Sequence, residues 1–83
     1  MEVLDFYADW CGPCQMMKPV MADFEKAHPE VKVRAINIDE EAELAEKYGV
    51  SGIPCIVFVE DGKEVDRVVG VAPLKKLEKV LEK

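Results

Sequence analysis

Trp10-Cys11-Gly12-Pro13-Cys14 sets two thiols three positions apart. The apolar run from Val3 to Ala8 precedes it and a helix-period pattern follows, so the pair falls at a strand-to-helix junction. Such a short gap makes a poor structural staple, because closing the loop removes only about 2 kcal/mol of unfolded-chain entropy. It does let one thiol attack outward while the second waits within bonding distance. The pair reads as a reversible dithiol/disulfide that does chemistry.

A free thiol has a pKa of about 8.5, and the thiolate is the nucleophile. Cys11 stands where the helix begins, so unpaired amides and the helix dipole favour negative charge on its sulfur. No Lys, Arg or His lies nearby in sequence, which assigns the effect to the backbone and the partner thiol. Cys14, one turn further in, is expected to be shielded and to attack Cys11 once a mixed disulfide has formed. A CxxC pair can also supply half of a zinc site. Here no second CxxC or Cys/His pair completes four ligands.

The 83 residues read as one domain, 1–83, burying about 60–65% of its unfolded surface around a modest core. An apolar fraction of 49% argues against disorder, and a net charge of −6 argues against nucleic acid or anionic lipid as partners. Met1 to Tyr7 has neither the basic start nor the long apolar stretch of a signal peptide, and no run has the length of a membrane span. Three cysteines fit a reducing cytoplasm better than a secreted disulfide scaffold, so the expected compartment is cytoplasmic.

Along the chain, Val3–Ala8 is a short buried strand carrying one charge, Asp5. A helix from Cys11 to about Ala27 repeats Met17, Val20, Met21 and Phe24 on one face, with Pro13 in its first turn and Pro19 expected to kink it. Val31–Ile38 is a strand whose Lys32 and Arg34 suit a guarded edge. Asp39 is expected to cap a short helix through Tyr48, stopped by Gly49. Cys55–Val59 is a continuous apolar strand, Asp61-Gly62 a two-residue hairpin, and Lys63–Val69 its return. Pro73 opens a last helix with an inward stripe of Leu74, Leu77 and Leu81. The order β-α-β-α-β-β-α predicts an α/β fold: a four-stranded mixed sheet, spatial order 2-1-3-4, with helices on both faces.

Asp5 to Cys14, followed by Pro19, resembles the active-site segment of the thioredoxin family. Asn37-Ile38-Asp39, Tyr48-Gly49-Val50, Gly52-Ile53-Pro54 and Asp61-Gly62-Lys63 follow that family's pattern in order, across nearly the whole chain. The resemblance implies a minimal thioredoxin fold and a protein disulfide reductase. Disulfide-containing clients and a thioredoxin-reductase-type electron donor would be its partners, and it would act as a monomer with no bound cofactor beyond the Cys11–Cys14 pair. Cys11 then corresponds to the attacking cysteine and Cys14 to the resolving one. Pro54 matches the proline of a cis peptide beside the dithiol, turning the Ile53 backbone toward an incoming peptide. Trp10, Gly12, Pro13, Ile53, Val69 and Gly70 match the apolar groove around the site. Asp5 matches a buried acid able to accept the proton of Cys14.

Three departures stand out. The family's usual N-terminal strand and helix have no counterpart, which leaves Val31–Ile38 as an exposed edge. Ala35 stands where many thioredoxins carry a lysine near the buried acid, so Asp5 should be harder to ionise. Cys55 follows Pro54 where threonine is common, and reads either as a small buried residue or as a third redox thiol or metal ligand. Two alternatives stay open. One is a glutaredoxin-like, glutathione-dependent thioltransferase, although Gly52-Ile53-Pro54 and Val69-Gly70-Val71 offer no obvious glutathione anchor. The other is a non-enzymatic metal or cluster module using Cys11, Cys14 and Cys55.

Overall fold

The computed structural model describes residues 1–82. Its elements are β1 (Glu2–Tyr7), α1 (Gly12–Ala27), β2 (Lys32–Asn37), α2 (Ala42–Lys47), β3 (Cys55–Glu60), β4 (Lys63–Val69) and α3 (Leu74–Leu81). The sheet has four strands in the order β2-β1-β3-β4. β1 and β2 are parallel, as a helical crossover requires, and β3 runs antiparallel to both β1 and β4. Order, pairing and the helix on each side match the expectation from the sequence.

Strand alternation sorts the core into two layers. Val3 and Ile56 pack with Met17, Met21 and Phe24 of α1 and with Leu77 and Val80 of α3. Leu4, Phe6, Cys55 and Val57 point the other way, toward Leu44, Ala45 and Tyr48. Phe24 meets Phe58 edge-on, with ring centroids 6.4 Å apart, which locks α1 onto β3. The C-terminal end of α1 is joined to α3 through His28, whose Nε2 lies 2.7 Å from Glu78.

α1 continues through Pro19 to Ala27. Pro19 has no amide to donate to the carbonyl of Gln15, and both residues are exposed, so water can reach that carbonyl. The inward stripe of α3 differs from expectation: Leu77 and Val80 are buried, while Leu74 and Leu81 are only partly so. α2 also begins later than expected, and Asp39 does not cap it. Its N-cap is Glu41, without a side-chain bond. Buried Asn37 instead organises the turn after β2. Its Oδ1 accepts from the Asp39 amide at 2.9 Å, and its carbonyl accepts from the amides of Glu40 and Glu41.

β2 is an edge strand, with Lys32 and Arg34 exposed and Arg34 paired with Glu41 at 2.7 Å. The Asp61-Gly62 hairpin has positive φ at both positions, 52° and 79°, the turn that matches strand twist.

Candidate active site

β1 ends at Tyr7 and the chain turns at once into α1, which places the dithiol above the C-terminal end of the central strand. Cys11 is the N-cap of α1. Its backbone is extended (φ −89°, ψ 108°), and its Sγ accepts from the Cys14 amide at 3.2 Å. One of the unpaired donors of the helix start is therefore satisfied by sulfur, and the donor and the helix dipole both favour a thiolate there. Cys11 and Cys14 are joined as a disulfide, with Cα atoms 5.3 Å apart.

Exposure separates the two cysteines less than expected: Cys11 is 5% exposed and Cys14 3%. Both pack with Ala8, against Tyr7, Ile38 and Ile53. The accessible surface around them comes from Gly12, Pro13 and Trp10, which is 69% exposed. Trp10 is nonetheless held in place, since its indole N–H donates to Asp39 Oδ2 at 2.9 Å. Asp39 is thus a site residue that tethers Trp10, where the sequence predicts a helix cap. The Asn37-Ile38-Asp39 string was its only signal.

Across from the disulfide, the Ile53–Pro54 peptide bond is cis. The Ile53 carbonyl oxygen lies 3.8 Å from Cys11 Sγ, a van der Waals contact while the sulfur carries no proton. The end of β4 closes this side. The Gly70 amide donates to the Pro54 carbonyl at 2.8 Å, from a glycine whose φ of 89° disfavours any side chain. Beside it Val69 leaves an apolar surface 57% exposed. A shallow concavity between β2 and α2, lined by Arg34, Glu41, Leu44 and Lys47, holds none of these residues.

Asp5 follows Val3 at strand spacing, so it faces α1, whose buried residues are Cys14, Met17, Met21 and Phe24. Its strand neighbours are Ala35 and Ile56, neither charged. Burial pushes its carboxyl from 3.8 up to about 6, and the negative charge of Glu25 adds to the effect. Cys55 lies elsewhere, in the layer under α2 beside the Arg67 guanidinium. Burial pushes its thiol up, while Arg67 pulls the other way. Among the described residues no group of three or more His, Cys, Asp or Glu is arranged to hold a metal. No helix among them is long and apolar enough to cross a membrane.

A βαβαββα fold carrying a Cys-Gly-Pro-Cys disulfide at the start of its first helix defines a thiol-disulfide oxidoreductase. The Thioredoxin family model matches residues 1–83, and the chain belongs to the thioredoxin family. It is 49% identical over 69 residues to a thioredoxin of Chlamydia caviae, covering 83% of this chain and 68% of that one. With a thioredoxin of Chlamydia pneumoniae it shares 42% identity over 81 residues, covering 98% and 79%. Among solved structures it is similar to oxidised mitochondrial thioredoxin 3 of Saccharomyces cerevisiae, with TM-score 0.90, 36% identity and 98% and 76% coverage. Fasciola hepatica thioredoxin gives TM-score 0.90 and 41% identity, with coverage of 98% and 77%. Disulfide-containing client proteins and a reductase partner come with membership of this family.

Proposed function

We propose that Cys11 is the attacking thiolate and Cys14 the resolving thiol of a cytoplasmic, monomeric, single-domain protein-disulfide reductase. The observation that carries this assignment is the Cys14 amide donating to Cys11 Sγ, which favours charge on that sulfur over the other. Reduced Cys11 attacks one sulfur of a client disulfide. An S–S bond forms between Cys11 and the client, the client's own S–S bond breaks, and its second sulfur leaves as thiolate. Cys14 passes its proton toward Asp5, attacks Cys11 Sγ and expels the first client sulfur. Two electrons have then moved to the client, and the Cys11–Cys14 disulfide remains for the reductase to open.

Docking falls to Trp10, Gly12, Pro13, Ile53, Val69 and Gly70, with Pro54 shaping the ledge. The exposed apolar surface of Trp10 and Val69 supports this reading, as does the Ile53 backbone standing against Cys11. A client segment would add to that backbone as a short strand. Insulin-disulfide reduction with wild type and Cys14→Ser tests the assignment. Wild type turns over, and the variant accumulates a covalent adduct at Cys11. A Cys11→Ser variant that keeps activity would overturn it and favour a non-catalytic use of the fold.

A further inference from the structure

Arg67 on β4 joins parts of the molecule that strand geometry alone would keep apart. Residues three apart on a strand face opposite ways, yet Arg67 Nε and Nη2 donate to the two carboxylate oxygens of Glu64, each at 2.6 Å. The register explains this: Val59 pairs with Glu64 but Phe58 pairs with Asp66, so Val65 is an extra residue and Glu64 swings to the Arg67 side. The two-pronged contact fixes the plane of the guanidinium. Nη2 also donates to the Tyr48 carbonyl at 2.6 Å.

Tyr48 is the C-cap of α2, and the chain from Gly49 leads directly to Ile53-Pro54. The far part of this segment is held by the end of β4, where Gly70 bonds to Pro54. Gly52 sits so close to the strand that an added Cβ would lie 3.3 Å from Val69 Cγ1. Arg67 holds the near end. The bond from β4 to Tyr48 comes from a side chain, so substitution can remove it without altering the backbone.

We propose that Arg67 is a positioning residue for client docking: its grip on the Tyr48 carbonyl sets where the Ile53 backbone stands against Cys11. The role rests on the reading that this backbone receives the client. Arg67 itself touches neither client nor reacting sulfur, so its loss affects substrates that pair with the ledge and spares those too small to do so. Glu64 contributes by orienting the guanidinium.

The test compares wild type, Arg67→Met, Arg67→Lys and Glu64→Gln on a peptide disulfide and on bis(2-hydroxyethyl) disulfide, with dithiothreitol as electron source. For Arg67→Met, KM for the peptide rises about three- to tenfold while kcat and the small-disulfide rate stay within about twofold. Arg67→Lys and Glu64→Gln give smaller rises in the same direction, and they carry the test should the methionine variant not fold. Unchanged KM, or an equal loss on the small disulfide, overturns the proposal. A peptide N-methylated next to its cysteine probes the docking reading separately. If N-methylation leaves wild-type KM unchanged, the docking reading fails. If it raises KM while the Arg67 variants do not, the role of Arg67 alone fails.

Discussion

Asp5 and Ala35 are register neighbours on the parallel strands β1 and β2, so a methyl group is what β2 sets beside the half-buried carboxyl. Ala35→Lys places a cation there and should lower the Asp5 pKa from about 6 by roughly one unit or more. Carbon-13 NMR titration of the Asp5 carboxyl reads this directly. An unmoved titration would show that the lysine points away.

Asp5 also makes stability depend on pH. Below pH 3.8 the folded and unfolded chains both hold its proton; between 3.8 and about 6 only the folded chain does. The stability it contributes is therefore full at low pH and is lost as pH rises through about 6. Two pKa units amount to about 3 kcal/mol at most. Asp5→Asn should exceed wild type at pH 8 by about 2 kcal/mol in urea denaturation and match it near pH 4. A variant less stable than wild type at pH 8 contradicts this account.

The same substitution should slow client release. Resolution of a preformed mixed disulfide at Cys11 rises with pH through about 6 in wild type, as Asp5 becomes able to take the Cys14 proton. In Asp5→Asn that inflection disappears and the rate at pH 7 falls by about tenfold or more. Persistence of the inflection would assign it to another group.

Asp39→Ala frees the Trp10 indole from its tether. Losing a net contribution of about 1 kcal/mol corresponds to a roughly fivefold rise in KM for a protein disulfide. The small-disulfide rate should not move, and tryptophan fluorescence anisotropy should fall. Equal KM for the two proteins would make the hydrogen bond incidental.

Thiol counting separates Cys55 from the reactive pair. Cys55 is 1% exposed and is the free cysteine among the described residues. The oxidised native protein should react with no equivalents of an aromatic disulfide reagent, and the denatured one with one. Prompt reaction in the native state would place Cys55 at the surface.

The topology could be read from punctuation. Gly49 and the Asp61-Gly62 pair have the positive φ that ends elements, and the dithiol needed only its spacing. The facing of Asp5 could not be read, because apolar residues flank it on both sides. It took the register of β1 against Ile56, a residue of the α1 layer, to assign it. An aspartate before a helical pattern ordinarily caps it, and nothing local to Asp39 shows that Trp10, 29 positions away, claims the carboxylate. The reach of Arg67 was hidden for a similar reason. It depends on a bulge at Val65, which alternating polarity conceals.

Since Cys11 both starts α1 and reacts, variants at this position perturb folding along with chemistry. Serine keeps an oxygen that accepts the Cys14 amide; alanine discards the acceptor with the nucleophile. The difference in stability between those two variants isolates what a side-chain acceptor at position 11 does for the helix, about 1 kcal/mol. Alkylating reagents should likewise register as a softened first turn of α1, visible in the hydrogen exchange of the Cys14 amide.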